Sequence, residues 1–131
     1  MQARKKPTLP DGTSVIVEVL EASQVFGNFG PQLAIKDKVV GGKYAGFEFM
    51  DWSKLSRDPK SNEVYVELGT KAADIFAAAF GDDYDADGEH NPEDLVGKRF
   101  MARVGLAGKK QDRNRLEYGT IGSDPAGHEA A

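Results

Sequence analysis

The segment DYDADG carries carboxylates at a spacing that suits a cation. It matches the start of an EF-hand calcium loop, with Gly88 at the sixth position, where that loop turns sharply. The carboxylates at positions one, three, five and twelve are Asp83, Asp85, Asp87 and Asp94. Position twelve departs from the bidentate Glu that the loop prefers, and Pro92 lies inside the loop. Two interpretations follow: a calcium site, or an acidic loop that keeps DNA and other copies away from one side of the protein.

A second constellation combines basic residues with aromatic rings. Single-stranded nucleic acids bind to a basic groove along their phosphates and to rings on which their bases stack. Two phenylalanines lie in the glycine-rich segment QVFGNFGP, and the segment KKQDRNR holds four cations, which repel one another unless an anion compensates. The candidate binding residues are Phe26, Phe29, Lys36, Lys38, Lys43, Tyr44, Trp52, Arg99, Arg103, Lys109, Lys110, Arg113 and Arg115. Each lysine alone is more often solvated surface, and Trp52 equally suits the rim of a core.

The sequence lacks the constellations of common enzymes. His90 and His128 are its two histidines, and neither a Ser-His-Asp arrangement, an HExxH motif nor a phosphate-binding GxxxxGK[ST] motif can be identified. The chain has no cysteine, which excludes disulfides, cysteine-ligated zinc, iron–sulfur clusters and a thiol nucleophile. We therefore predict a cytoplasmic protein that is not an enzyme and needs no cofactor besides the calcium considered above.

Length and charge narrow the remaining classes. The 131 residues suffice for one globular domain and are too few for two. No apolar run approaches the roughly 20 residues that span a bilayer, so no membrane partner is expected. The net charge is −4, but residues 61–97 hold ten acidic residues and one basic residue, which leaves the rest of the chain net basic. An acidic protein can therefore still present a basic surface to a nucleic acid.

Residue periodicity predicts the elements that position these side chains. Alternating, β-branched segments predict strands at 14–22, 32–39, 44–52, 99–104 and 116–121, and a short extra strand at 64–66. Residues 24–31 are predicted to be a loop, and Gly41-Gly42 a hairpin turn. Thr70 is the expected N-cap of an amphipathic helix that ends at Gly81, and a single helical turn is expected at 91–94.

Five short strands with a helix between the third and fourth follow the chain order of an OB-fold, a mainly β, five-stranded Greek-key barrel. The predicted domain spans 14–121, preceded by a flexible basic arm at 1–13 and followed by a disordered tail at 122–131. An SH3-like barrel and an irregular α+β sandwich are the alternative folds.

The segments VVGGKYAGFEFMDWSKL, TKAADIFAAAFG and DLVGKRFMARVG resemble a group of phage-encoded OB-fold proteins that bind single-stranded DNA. In that group G-x-Y-x-G opens the third strand, a Trp closes it, and L-x-G-K-x-F opens the fourth. The matching residues are Gly42, Tyr44, Gly46, Trp52, Leu95, Gly97, Lys98 and Phe100. The end GHEAA departs from the acidic-hydrophobic tip through which many bacterial proteins of this function recruit partners.

The resemblance implies sequence-independent binding of single-stranded DNA during phage replication or recombination, in the cytoplasm of the host cell. Replication or recombination proteins are the expected protein partners. Because one small OB domain covers few nucleotides, a homo-oligomer that binds cooperatively is also expected. Two alternatives stay open: an OB-fold adaptor whose aromatic loop docks on protein, and a module stabilised by calcium at 83–94.

Overall fold

The computed structural model describes residues 1–3 and 7–124, and this part of the chain is mainly β with one α-helix. The strands are β1 (Thr13–Gly27), β2 (Gly30–Val39), β3 (Glu48–Lys54), β4 (Ser56–Arg57), β5 (Val64–Tyr65), β6 (Arg99–Ala107), β7 (Arg113–Leu116) and β8 (Gly122–Ser123). The helix α1 spans Lys71–Phe80, and short 3₁₀ turns follow at Gly81–Asp83 and Pro92–Leu95. The predictions of a mainly β chain, a single helix and a helical turn near 91–94 are confirmed.

The main sheet is antiparallel, with β3 and β7 at its two ends. β1 lies at the centre, between β2 and β6; β2 then pairs with β3, and β6 with β7. Within the described residues no main-chain ladder joins β3 to β7, so the sheet does not close into a barrel. The two end strands still come together, because the N–H of Leu116 in β7 donates to the carboxylate of Asp51 in β3 at 2.9 Å. We call the space between these strands the seam.

β1 pairs with both β2 and β6 because it is long and bent. Residues 13–18 pair with β6 and residues 17–27 pair with β2. The register shifts between Val19 and Glu21, which marks a β-bulge. A bulge bends its strand and increases the local twist. The sheet therefore curls around the core instead of lying flat.

The connections on either side of β2 differ from those predicted. Residues 24–31 are not a loop: Gly27 pairs with Gly30, which leaves Asn28 and Phe29 as a two-residue turn, and Gly30 has a φ of 103° that favours glycine. Glycine in this segment thus serves a tight hairpin. Conversely, 44–47 is not strand, because β3 begins only at Glu48.

The helix begins and ends where its sequence predicts. The Thr70 hydroxyl accepts the N–H of Ala73 at 3.3 Å, and Gly81 ends the helix with a φ of 57°. α1 buries its apolar face, Ile75 and Phe76 included, in the core, and it contacts β8, β6 and β3. This packing fixes the first residue of α1, Lys71, beside the seam.

Both ends of the chain take more part in the fold than predicted. Leu9, expected in a flexible arm, is buried, and its N–H donates to Asn114 Oδ1 at 2.7 Å. The basic residues of that arm, Arg4, Lys5 and Lys6, lie outside the described residues. The strand predicted at 116–121 is replaced by β7 and β8, both of which pair with β6. The segment predicted as a disordered tail therefore begins inside the sheet, and its residues 125–131 lie outside the described part.

Candidate functional site

The seam opens outward as a groove with a volume of about 580 Å³. Met50, Trp52 and Lys54 line it from β3, and Arg113 and Arg115 line it from β7. One wall is thus partly apolar and aromatic, and the other is cationic. Such a groove suits a ligand that combines flat rings with negative charge.

Trp52 reaches the groove because of the alternation of β3. Asp51 and Ser53 point into the interior, whereas Trp52 and its neighbours at two-residue spacing point outward. The indole is 41% exposed, and the residue opposite it on β2 is the small Ala34. The guanidinium of Arg113 lies 5.8 Å from the centre of the indole. Trp52 therefore offers a ring for stacking with a positive charge beside it.

The tip of the β1–β2 hairpin provides a second aromatic group. Phe26 and Phe29 are 60% and 88% exposed, and the guanidinium of Arg57 lies 5.3 Å from the centre of the Phe26 ring. The tip is close to the groove. Gln32 lies only two residues after Gly30, the first residue of β2, and it pairs with Lys54 of the groove wall. We call the groove and this hairpin tip together the candidate surface.

Asp51 forms part of the floor of the groove and links three elements. Its Oδ1 accepts the N–H of Leu116 in β7 and the ammonium of Lys71 in α1, both at 2.9 Å. Burial raises the pKa of Asp51, and the charge and hydrogen bond of Lys71, the N–H of Leu116 and the nearby hydroxyl of Ser53 act against this shift. One carboxylate thus holds β3, β7 and the start of the helix together.

A second carboxylate, Asp37 of β2, lies deeper in the interior. It is 0% exposed, and neither of its oxygens has a hydrogen-bond partner. The other buried side-chain atoms without a partner in the described residues are Asp51 Oδ2 and Ser53 Oγ. Burial raises the pKa of Asp37 well above its usual value, Asp51 raises it further, and Lys71 opposes both.

Two of the predicted binding cations are engaged in ion pairs away from the groove. Lys36 lies 3.6 Å from Glu21 and 3.4 Å from Glu48, and Arg99 lies 3.0 Å from Glu18. Exposed pairs of this kind are weak, but they offset the positive charge that a phosphate would meet. Lys36 and Arg99 therefore contribute less to a basic surface than their sequence positions predict.

The other predicted residues fall into two groups. Lys38, Lys43 and Tyr44 lie near the β2–β3 turn, at the far end of β3 from Trp52, and Tyr44 packs partly against the core. Arg103 is exposed on β6. Lys109 and Lys110 are exposed in the β6–β7 turn. That turn borders the groove, because Ala107 and Arg113 at its two ends line it.

The structure adds two cations that the sequence prediction missed, Lys54 and Arg57. Lys54 follows Trp52 at two-residue spacing, so the alternation of β3 contained the signal for its position. Arg57 reaches Phe26 because β4 lies beside the β1–β2 hairpin, for which the sequence carries no local signal.

The acidic segment lies at the opposite end of α1 from the groove. The helix has ten residues and is therefore about 15 Å long, with Lys71 at the seam and Phe80 leading into the acidic residues. Its predicted ligands are not gathered: Asp83 ends one 3₁₀ turn and Asp94 lies in the other. Asp85 Oδ1 instead accepts the N–H of Asp87 at 3.0 Å. Across residues 1–3 and 7–124, no three His, Asp or Glu side chains are grouped so as to hold a metal ion.

A scan of protein-family models, a search of curated proteins and a search of solved structures each found no match to the chain. No helix in the described ranges has the length and apolar character required to cross a membrane.

Proposed function

We propose that the chain is an OB-fold domain that binds single-stranded DNA without sequence preference through the candidate surface. The observation that carries the proposal is that exposed rings and arginines are paired at two neighbouring places, Trp52 with Arg113 and Phe26 with Arg57. Rings stack on any base, and cations attract any phosphate, so this combination recognises a single strand rather than a sequence. A duplex offers its phosphates but not the faces of its bases.

The strand order supports the OB-fold part of the proposal. The order β3-β2-β1-β6-β7, with α1 between β3 and β6, agrees with the order expected for the proposed OB-fold, a five-stranded Greek-key barrel. In that fold ligands bind over the second and third strands and between the loops that follow the first and fourth. Trp52 on β3, Phe29 after β1 and Lys109 after β6 occupy the corresponding elements.

Binding then needs no chemical step. The phosphates run along Lys54, Arg113 and Arg115, and bases stack on Trp52 and Phe29. The acidic segment at the far end of α1 repels the strand from the other side of the protein. The DNA is thereby confined to one face.

Fluorescence anisotropy of a labelled oligo-dT, measured at low and high salt beside a duplex of equal length, tests the proposal. The single strand should bind more tightly than the duplex, and its affinity should fall steeply as salt rises. Substitution of Lys54, Arg113 and Arg115 by Ala should weaken binding and reduce the slope of log Kd against log salt by about one for each lost phosphate contact.

The matched control replaces Lys38, Lys43 and Arg103 by Ala, which removes the same charge outside the groove. This variant should retain most of the affinity. Equal losses in the two triple variants would show that only net charge matters and would contradict the proposed site. If the native chain bound neither the single strand nor the duplex at low salt, that result would contradict the proposed function itself.

A further inference from the structure

The interior of the seam contains a charged cluster that the proposed DNA contact does not use. Lys71 Nζ lies 2.9 Å from Asp51 Oδ1, and both groups act electrostatically on Asp37. Asp37 and Asp51 are almost fully buried, and the side chain of Lys71 is 16% exposed. Two buried carboxylates therefore have a single counter-cation near them.

Asp37 also lacks hydrogen-bond donors. Both of its oxygens are buried without a partner, and an ionised carboxylate can only accept hydrogen bonds. A buried acceptor without a donor is costly, and an unpaired buried charge costs more. One added proton removes the unpaired buried charge, since it brings the net charge of the cluster from −1 to zero.

We propose that Asp37 and Asp51 hold one proton between them at neutral pH, and that this proton allows a single lysine to close the seam. The proton resides on Asp37, because Asp51 already receives the donors Lys71 and Leu116 at its Oδ1. Two carboxylates that share a buried site lose their protons in separate steps, the second at a strongly raised pH.

No other charge within the described residues substitutes for the proton. The neighbours of Asp37 in the register are Val19 on β1 and Phe49 on β3, both apolar. Lys36 and Lys38 flank Asp37 in sequence, but they lie on the opposite, outward face of β2. From β7, the inward side chains are Asn114 and Leu116, which carry no charge.

The proposal fixes the sign of the pH dependence. Unfolded aspartate loses its proton near its ordinary pKa, whereas folded Asp37, with its raised pKa, keeps the proton to higher pH. The folded state therefore binds more protons between these two values, and stability falls as pH rises through that window. One proton released on unfolding raises the unfolding equilibrium constant by up to about tenfold per pH unit, and the loss levels off above the folded pKa.

Urea denaturation of the full chain from pH 5 to 9 tests this inference, with Asp37→Asn as the variant. The native chain should lose stability as pH rises, and Asp37→Asn should remove most of that slope, because the amide does not titrate. Asp82→Asn is the matched control, since Asp82 is exposed, and it should keep the native slope. Equal slopes in the native chain and in Asp37→Asn would overturn the proposal.

Infrared spectroscopy of the native chain gives a readout that does not depend on the variant's folding. A protonated carboxyl absorbs separately from carboxylates, so its band should be present at pH 7 and lost at high pH. Absence of the band would overturn the proposal. So would a rise in melting temperature with Mg²⁺ or Ca²⁺ that disappears in Asp37→Asn, because the oxygens would then hold a metal. Neither urea denaturation nor infrared spectroscopy involves DNA. A negative result in either experiment would therefore contradict the shared proton and would not bear on the proposed DNA binding.

Discussion

The guanidinium of Arg113 lies 5.8 Å from the ring centre of Trp52, across the seam from β7 to β3. At this distance a cation is attracted to the face of an aromatic ring. The two residues belong to the strands at opposite ends of the main sheet, so they meet only because the sheet curls around its core. The ring and its neighbouring charge are therefore a product of the tertiary fold.

Removing the indole should weaken DNA binding. Trp52→Ala loses the stacking of about one base, worth roughly 1–3 kcal/mol, which corresponds to about a 5- to 150-fold increase in Kd. Trp52 is the single tryptophan of the chain, so quenching of its fluorescence by oligo-dT reports occupancy of the groove directly. Trp52→Phe keeps a ring and should recover part of the affinity. Unquenched fluorescence at saturating DNA would exclude stacking on Trp52.

The hairpin tip should affect binding without affecting stability. Phe29 is 88% exposed in a two-residue turn, so Phe29→Ala removes little packing and should leave the melting temperature unchanged. The affinity for oligo-dT should fall by about 1 kcal/mol or more if a base stacks on this ring. Val96→Ala is the control, because Val96 is also an exposed apolar residue but lies away from the candidate surface. Equal affinities of the two variants would remove the hairpin tip from the site.

Local patterns in the sequence predicted the helix and the faces of the strands well. The limits of α1 depend on Thr70 and Gly81, whose effects act within one helical turn. The alternation of β2 likewise predicted that Leu33 and Ile35 share one face and Lys36 and Lys38 the other. Such features depend on interactions between residues that are close in the sequence, so they can be inferred without knowledge of the fold.

Contacts between distant segments were not predictable in this way. The sequence predicts Lys36 as a cation that binds phosphate, yet Glu21 and Glu48 come beside it only through the pairing of β1, β2 and β3. The same holds for the docking of Leu9 against Asn114, which converts part of a predicted arm into core. Asp37 continues the alternation of Leu33 and Ile35, so its inward position follows from the sequence pattern. Its lack of hydrogen-bond partners depends instead on which side chains β3 and α1 place near it.

The helix start gives a prediction for stability alone. Thr70→Ala removes the oxygen that accepts the N–H of Ala73 and should lower the free energy of unfolding by about 1 kcal/mol. Thr70→Ser retains the hydroxyl and should behave like the native chain in thermal denaturation. A native melting temperature for Thr70→Ala would show that the helix start is held by Lys71 and Asp51 instead.

Asp51 should be more important for stability than any exposed acidic residue. Asp51→Ala leaves the Leu116 N–H without its acceptor and removes the 2.9 Å ion pair of Lys71, which keeps only the deeper carboxylate of Asp37, so the free energy of unfolding should fall by about 3 kcal/mol. Asp51→Asn keeps an oxygen for Leu116 and should lie between the native chain and Asp51→Ala. Urea denaturation measures all three. If Asp51→Ala were as stable as the native chain, Asp51 would not hold the seam.

Calcium should not stabilise the protein through the acidic segment. Asp83 and Asp94 lie in separate 3₁₀ turns, and the carboxylate of Asp85 is engaged with the N–H of Asp87, so binding would require the segment to rearrange. The melting temperature should therefore be the same with calcium as with a chelator, both in the native chain and in Asp85→Ala. A calcium-dependent rise that Asp85→Ala abolishes would establish the site that the spacing of DYDADG predicts. That result would also show that the segment adopts a second, metal-bound arrangement.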